Sequence, residues 1–134
     1  MSQYIDSSAI LKRYIEEPDS ERATDLLESD PAWITGRHTW VEVFRNLARL
    51  LDGRELLRIE AAFRRDWRGI HVVEIDRATC ESAAEIARAE GVRTMDALHL
   101  AAAQRVGGGA LRFLTFDTRQ ARAARAVGLQ VVGC

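Results

Sequence analysis

The chain has 134 residues, of which 47% are hydrophobic and 29% are charged. This length and composition predict one globular domain over residues 1–134, and they argue against a disordered or collagen-like chain. No run free of charged residues reaches the roughly 20 residues that span a bilayer, and no secretory signal is evident, so we expect a cytoplasmic protein with no membrane segment.

The net charge of -1 hides a gradient along the chain. Residues 1–30 carry eight acids and three bases, residues 31–90 carry ten of each, and residues 91–134 carry two acids and six bases. Lys12 is the only lysine, and the guanidinium of arginine suits bidentate contact with phosphates. The basic C-terminal third hints at nucleic acid, although solvated helix faces in an arginine-rich protein account for it as simply.

Five short runs of mostly apolar, β-branched or aromatic residues are predicted as strands. They cover residues 3–6, 32–35, 72–76, 112–117 and 129–132. Helical patterns fill the gaps, with apolar residues at three- and four-residue intervals. The predicted helices cover residues 7–17, 20–29, 38–52, 54–67, 77–90, 94–106 and 118–127, the first ending before Pro18 and the sixth at Gly107-Gly108-Gly109.

Strands that alternate with helices of this length imply right-handed crossovers and a parallel sheet covered on both faces. The predicted fold class is therefore α/β, a three-layer α/β/α domain with a central, mostly parallel five-stranded sheet. In such a sheet, ligands bind beyond the carboxyl ends of the strands, near the point where the strand order reverses.

Three acids fall at the predicted strand ends. Asp6 closes the first strand, Asp76 closes the third and Asp117 closes the fourth. An Asp in this position commonly caps the helix that follows, so each acid alone is weak evidence of a ligand site.

Two further acids, Asp96 and Glu42, lie on predicted helices. Asp96 and Asp117 are the only acids among residues 91–134, and Asp96 falls in the first turn of a helix that Thr94 can cap. The helix macrodipole favours a carboxylate there, which is a structural explanation of Asp96. Glu42 lies opposite the apolar stripe of its helix and is expected by itself to be solvated.

Four segments taken together resemble a known family. They are Tyr4-Ile5-Asp6-Ser7-Ser8-Ala9, Val41-Glu42-Val43, Met95-Asp96-Ala97-Leu98-His99-Leu100-Ala101 and Leu114-Thr115-Phe116-Asp117. In this order and spacing they look like the motifs of a PIN-domain ribonuclease of the VapC type. The resemblance implies a metal-dependent endoribonuclease that is the toxin of a type II toxin–antitoxin module. It also implies an RNA substrate, a VapB-like antitoxin and a toxin homodimer.

The acids of that family map onto Asp6, Glu42, Asp96 and Asp117, which would together bind Mg²⁺ or Mn²⁺. Carboxylate oxygens are the hard ligands that these ions prefer, and several water ligands remain. We assign Asp6 and Asp96 as direct ligands and Asp117 as a ligand of a second or product-side ion. Glu42 is assigned as a water-mediated ligand or as the group that activates water.

Two hydroxyl side chains agree with the family pattern, and one segment differs from it. Ser8 and Thr115 carry the hydroxyls that the family often has beside its first and last acids, and they are expected to orient the metal ligands. Where the family commonly has a Ser at the end of the second strand, this chain has Thr35-Gly36-Arg37-His38. The sequence does not show what this departure changes.

Three arginines close in sequence to the mapped acids are predicted to flank the cleft. Arg93, Arg112 and Arg119 are expected to bind RNA phosphates without reading the bases. Contacts of this kind give affinity that falls as the salt concentration rises.

Two alternative functions are compatible with parts of the sequence. One is a catalytically inactive interaction module on the same fold, which the presence of all four acids argues against. The other is a receiver-like signalling domain that accepts phosphate on an Asp beside Mg²⁺. Such domains have an acidic pair after the first strand and a Lys near the end, whereas here Ser7 follows Asp6 and the only lysine is Lys12.

Other constellations predict no chemistry. His38, His71 and His99 show no ligand spacing with one another or with either cysteine, so no zinc cluster is predicted and His99 is expected only to line the cleft or the core. The segment Gly107-Gly108-Gly109 precedes a strand and lacks the Lys-Ser/Thr of a phosphate loop, so it is expected only to end a helix.

Overall fold

Strands and helices alternate along the chain in the computed structural model, which describes residues 2–107 and 110–134. The strands are β1 (Gln3–Ile5), β2 (Trp33–Gly36), β3 (His71–Val73), β4 (Arg112–Leu114) and β5 (Gln130–Val132). The helices are α1 (Ser7–Leu11), α2 (Ser20–Glu28), α3 (Thr39–Leu50), α4 (Gly53–Trp67), α5 (Arg77–Glu90), α6 (Thr94–Val106) and α7 (Thr118–Ala126). None of these helices is long and apolar enough to cross a membrane.

The five strands form one sheet in the order β3-β2-β1-β4-β5. Each neighbouring pair is parallel. The chain adds β2 and β3 on one side of β1 and then adds β4 and β5 on the other side. The strand order therefore reverses between β1 and β4, the place where open sheets of this class bind ligands.

Successive strand residues point to opposite faces of the sheet, and each face carries its own core. Tyr4 and Phe113 belong to a core with α5, α6 and α7, while Ile5 and Leu114 belong to a core with α1 to α4. All three tryptophans of the chain, Trp33, Trp40 and Trp67, pack against the second of these cores. This arrangement confirms the predicted three-layer α/β/α fold.

Helix α1 is shorter than the pattern of residues 7–17 predicted, because the backbone tightens after Leu11. The N–H groups of Lys12, Arg13 and Tyr14 donate to carbonyls three residues earlier instead of four. The side chain of Lys12 then forms ion pairs at 3.1 Å with Glu17 and 2.7 Å with Asp19. These contacts favour a turn ahead of Pro18, where the helical pattern alone predicted further helix.

Three strands also end earlier than predicted, because the acids after them leave the sheet to cap helices. Asp6, Asp76 and Asp117 are the N-caps of α1, α5 and α7, and each carboxylate accepts hydrogen bonds from the backbone of its helix. A side chain that caps a helix needs a backbone outside the strand ladder, so the strands stop one to three residues before it.

Helix α6 ends at Val106, with Gly107 after it, as the sequence predicted. Gly108 and Gly109 of the predicted helix stop lie outside the described residues. At its other end the N-cap of α6 is Arg93 rather than Thr94, and no side chain there caps the helix. The predicted Thr94 cap is therefore wrong, but Asp96 does lie in the first turn of α6, where the helix macrodipole favours a carboxylate.

Candidate metal centre

Asp6 is buried at the end of the central strand β1, where only 3% of the residue is exposed. Its Oδ1 accepts hydrogen bonds from Ser8 Oγ at 2.7 Å and from the Ala9 backbone N–H at 3.0 Å. Burial raises the pKa of Asp6, and the neighbouring His99 imidazole and the hydroxyls of Thr115 and Ser8 oppose that rise. Burial thus makes the ionised form of Asp6 less favourable, and a nearby cation would stabilise it.

The hydroxyls of Ser8 and Thr115 join the ends of β1 and β4. Their oxygens lie 3.3 Å apart, and the backbone N–H of Phe116 donates to Ser8 Oγ at 3.1 Å. The Asp117 N–H donates to Thr115 Oγ1 at 3.1 Å. These bonds fix the chain between Thr115 and Asp117 against the segment that carries Asp6.

Asp117 and Asp96 are brought together by the starts of α7 and α6. Asp117 Oδ1 accepts from the backbone of Arg119 and Gln120 at 2.9 and 3.2 Å. The buried Gln120 side chain in turn donates to the Asp96 carbonyl at 3.2 Å. Gln120 thereby links α7, which follows Asp117, to the first turn of α6, which contains Asp96.

The charges of Asp117 and Arg93 both act on the half-buried Asp96. Burial raises the pKa of Asp96 most strongly, Arg93 lowers it, and the charge of Asp117 raises it further. The imidazole of His99 influences both Asp96 and Asp6. Partly desolvated carboxylates that repel one another are a donor set that fits a hard divalent cation such as Mg²⁺.

Glu42 of α3 is held by a histidine rather than solvated alone. His99 Nε2 lies 2.7 Å from Glu42 Oε1, and His99 Nδ1 lies 2.7 Å from the hydroxyl of the fully buried Tyr4. Burial raises the pKa of Glu42, but the hydrogen bond and charge of His99 outweigh it, and the net pKa is lowered. Glu42 and Asp96 line the same cavity of about 490 Å³, together with Arg93.

His38 packs beside this chain of hydrogen bonds. Its ring centroid lies 4.1 Å from that of His99, and its Nε2 lies 3.8 Å from Glu42 Oε1. Burial and then the His99 charge lower the pKa of His38 to about 3, so the ring is neutral at physiological pH. The sequence spacing of the histidines does not indicate that His38 and His99 both lie close to Glu42, and His99 is buried in the interior, as expected. His71 lies apart from them on β3.

The segment Thr35-Gly36-Arg37-His38, which differs from the family pattern, connects β2 to its neighbours and makes room for His38. Thr35 Oγ1 donates to the Ile5 carbonyl at 2.7 Å and lies 2.7 Å from Thr39 Oγ1, so it joins β2 to β1 and α3. A Cβ on Gly36 would lie 2.5 Å from Cε1 of His38. Gly36 thus leaves the space that the imidazole occupies.

Sequence reasoning missed Tyr4, His38 and His99 as neighbours of Glu42. The i,i+4 spacing of His38 and Glu42 and the i,i+3 spacing of Asp96 and His99 were visible in the sequence. Neither spacing shows that α3 and α6 face each other. The contact between α3 and α6 is visible only in the folded structure, because His99 and Glu42 are 57 positions apart in the sequence.

The thiol of Cys134 is influenced by the charges of two of the acids. Burial raises the pKa of the Cys134 thiol, and the charges of Asp6 and Asp117 raise it further. The guanidinium of Arg125 donates to the carbonyl oxygen of Cys134 at 2.5 Å, and Arg22 donates to that of Gly133 at 2.7 Å.

The three predicted arginines do not share one location. Arg93 Nε lies 3.5 Å from Asp96 Oδ2, and Arg119 is exposed in the first turn of α7 beside Asp117. Arg112 is instead the first residue of β4, and its side chain bonds to Ser29 at 3.1 Å near the opposite end of the sheet. Closeness in sequence to Asp117 was misleading for Arg112, because a strand separates the residues at its two ends.

A family model and a curated relative both match most of this chain. The model of the PIN domain family matches residues 3–126. Ribonuclease VapC46 of Mycobacterium tuberculosis is 34% identical over 129 residues, which cover 96% of this chain and 95% of the relative.

Two solved structures show the same fold. The crystal structure of Mycobacterium tuberculosis VapC20, described as a sarcin-ricin loop cleaving toxin, has a TM-score of 0.73 at 20% identity and covers 92% of this chain and 95% of that chain. A toxin–antitoxin complex from Klebsiella pneumoniae has a TM-score of 0.70 at 18% identity and covers 88% of both chains.

The burial of Asp6 predicts how stability depends on pH. Because the folded-state pKa of Asp6 is raised from 3.8, its ionisation makes the folded state less stable as the pH rises through that pKa. Asp6→Asn keeps an oxygen that can accept the bonds from Ser8 and Ala9 and removes the charge. In EDTA, the melting temperature of Asp6→Asn minus that of the unchanged chain should increase as the pH rises from about 4 towards neutrality. A difference that stays constant with pH would mean that ionising Asp6 costs the fold nothing.

Proposed function

Because the chain belongs to the PIN domain family and, within it, to the VapC ribonucleases, we propose that it is an endoribonuclease toxin whose active site is the candidate metal centre. Asp6, Glu42, Asp96 and Asp117 are the proposed catalytic acids, with Mg²⁺ or Mn²⁺ as the cofactor. RNA is the proposed substrate, and the cytoplasm, where cellular RNA is available, is the proposed compartment.

The observation that carries this proposal is the burial of Asp6 at the strand-order reversal, together with the half-buried Asp96, whose pKa the charge of Asp117 raises. Asp6 follows β1, the raised pKa values of Asp6 and Asp96 both come first from burial, and Asp117 adds repulsion to Asp96. A fold that only needed helix caps would gain nothing from crowding these carboxylates. A divalent cation held by Asp6, Asp96 and Asp117 would offset this repulsion and would supply positive charge to a bound phosphodiester.

The residues of this chain have separable roles in the proposed reaction. When bound, Mg²⁺ or Mn²⁺ would lower the pKa of the attacking water and neutralise the charge that develops on the phosphate oxygens. Asp6 and Asp96 would hold the ion directly, and Asp117 would hold a second or product-side ion. Ser8 and Thr115 fix the orientation of Asp6 and of the chain before Asp117 through the hydrogen bonds described above.

Glu42 is proposed to orient the attacking water. His99 keeps the Glu42 carboxylate ionised, because the pKa of Glu42 is lowered below its ordinary value. An ionised carboxylate beside the cavity can accept a hydrogen bond from water and then its proton. His99 acts here as a positioning residue, since its two ring nitrogens are engaged by Tyr4 and Glu42.

The receiver-like alternative does not fit the observed sheet. A receiver domain has the strand order 2-1-3-4-5, whereas this chain has β3-β2-β1-β4-β5. The second alternative, a catalytically inactive module on the same fold, differs from the proposal only in activity. The cleavage experiment below distinguishes the two.

The proposed partners follow from the toxin assignment. The complex from Klebsiella pneumoniae is described as a toxin with its antitoxin, and we propose that this chain has a VapB-like antitoxin and forms a homodimer. A basic side chain of the antitoxin would complement the acids that line the cavity with Glu42 and Asp96.

Asp96→Asn tests the catalytic assignment. It removes a proposed ligand charge while keeping the side-chain shape, and RNA cleavage in Mg²⁺ or Mn²⁺ should be abolished. Thermal stability in EDTA should change by no more than about 1 kcal/mol, because lost repulsion from Asp117 and lost interaction with the helix macrodipole oppose each other. The measurement is end mapping of mixed cellular RNA after incubation with the purified protein.

Asp52→Asn is the matched control, since Asp52 precedes α4 and makes no capping hydrogen bond through its side chain. This control should cut RNA at the rate of the unchanged chain and lose activity in EDTA. If Asp96→Asn also retains that rate, Asp96 does not belong to the active site. If the unchanged chain cuts no RNA with either metal, the inactive-module alternative is favoured.

The two arginines beside the acids should bind RNA through its phosphates. In binding titrations with the inactive Asp96→Asn variant, the logarithm of the affinity should fall linearly with the logarithm of salt concentration. Arg93→Ala and Arg119→Ala should each flatten that slope by about one unit at most. Arg112→Ala should leave the slope unchanged, because Arg112 lies near the other end of the sheet. Binding that does not depend on salt would contradict the proposed phosphate contacts.

Co-expression tests the antitoxin. The chain expressed alone should slow bacterial growth, and co-expression of the small protein encoded by the neighbouring reading frame should restore growth. The Asp96→Asn variant should be harmless alone and should still bind that protein, which separates binding from toxicity. Toxicity that persists while both proteins are bound would overturn the inhibition model. The mass of the isolated chain in solution tests the homodimer.

A further inference from the structure

We propose that His38, Glu42 and His99 form a second cation site, which takes a divalent transition ion such as Zn²⁺ and lies beside the carboxylate centre. The site is distinct in chemistry from the set of four acids because two of its three ligands are imidazole nitrogens. Imidazole favours Zn²⁺ and neighbouring transition ions, whereas Mg²⁺ favours oxygen ligands.

The distances between the ligand atoms suit one small ion. One nitrogen or oxygen atom from each residue lies within 4.8 Å of the other two. Zinc bonds of about 2.1 Å in a tetrahedron place ligand atoms about 3.4 Å apart. The observed separations from Glu42 Oε1, 2.7 Å to His99 Nε2 and 3.8 Å to His38 Nε2, lie on either side of that value. Changes of less than about 1 Å would bring these two separations to the tetrahedral value.

The side chain of His38 supplies the independent indication that a ligand belongs there. Only 8% of His38 is exposed, and neither ring nitrogen forms a hydrogen bond of normal geometry within residues 2–107 and 110–134. A buried polar atom without a partner is costly and is commonly satisfied by an ion or an ordered water. A ring nitrogen that carries no proton has a lone pair that can bind an ion.

The surroundings hold the two imidazoles in place. The hydroxyl of Tyr4 lies 2.7 Å from His99 Nδ1, which leaves His99 Nε2 facing Glu42. A second hydrogen bond of this kind orients most metal-binding histidines and selects the tautomer that binds the ion. Zinc bound at His99 Nε2 would replace the proton of the hydrogen bond from that nitrogen to Glu42, and this proton would be released to solvent. Gly36 provides the space for His38, because a Cβ there would lie 2.6 Å from His38 Nδ1.

The proposed site is open to solvent through Glu42, which lines the cavity of about 490 Å³. Three protein ligands leave a fourth tetrahedral position for water. Because Glu42 belongs to both sets of ligands, a bound transition ion would draw Glu42 away from the acidic centre. This consequence depends on the proposed ribonuclease function, but binding of the ion does not.

Calorimetric titration with ZnCl₂ tests the site without any RNA. The exposed cysteines are first replaced, as Cys80→Ser and Cys134→Ser, because free thiols also bind zinc. The titration is run in an excess of MgCl₂ so that the acids are supplied with their proposed ion. We expect one Zn²⁺ per chain in this background.

His38→Ala should weaken Zn²⁺ binding by at least tenfold, and Tyr4→Phe should weaken it by about ten- to hundredfold through the orientation of His99. His71→Ala is the matched control, because His71 is exposed on β3, and it should bind Zn²⁺ unchanged. Asp96→Asn should also bind Zn²⁺ unchanged. If Asp96→Asn weakens binding and His38→Ala does not, zinc sits on the four acids and the proposal is overturned.

X-ray absorption of the zinc-loaded cysteine-free protein needs no variant of the site and therefore does not depend on how the variants fold. The spectrum should show scattering from two imidazole rings on each zinc. Scattering from oxygen ligands alone, or no stoichiometric binding, would overturn the site. Either result leaves the ribonuclease proposal to its own cleavage experiment.

Discussion

The buried carboxylate of Asp6 is the constraint on which the rest of the site depends. It lies at the end of the central strand, where the strand order reverses, and burial there raises the pKa of its side chain. The neighbours that limit this cost come from several parts of the chain. Ser8 and Ala9 donate hydrogen bonds from α1, Thr115 contributes from the end of β4, and His99 acts from α6. Keeping Asp6 ionised therefore requires the three layers to be assembled correctly.

The layer architecture was predictable because it follows from local patterns. Apolar periodicity gave the approximate bounds of the helices, and α5 and α6 have the predicted limits. The errors occur where a side chain contact competes with the pattern. Lys12 draws the chain into a turn after Leu11, and Asp117 leaves the sheet to cap α7. Neither contact is encoded by periodicity.

The candidate site was only partly predictable, and the reason is its long-range geometry. The family motif indicated Asp6, Glu42, Asp96 and Asp117 as the candidate acids, but it did not predict which residues surround Glu42. The bond from His99 to Glu42 joins residues 57 positions apart, and the ring of His38 is accommodated only because Gly36 lies beneath it. Arg112 illustrates the opposite error, since a residue five positions from Asp117 faces Ser29 instead. Contacts of this kind become visible only when helices and strands are packed together.

The distribution of aromatic side chains has a consequence for optical measurements on this protein. Trp33, Trp40 and Trp67 all pack against the core under α1 to α4, whereas the core under α5 to α7 contains no tryptophan among its members. Intrinsic fluorescence therefore reports the packing of one layer. Circular dichroism in the far ultraviolet averages over every helix. Agreement between the two signals during denaturation would show that both layers come apart as one cooperative unit, and a gap between them would reveal an intermediate with one layer still folded.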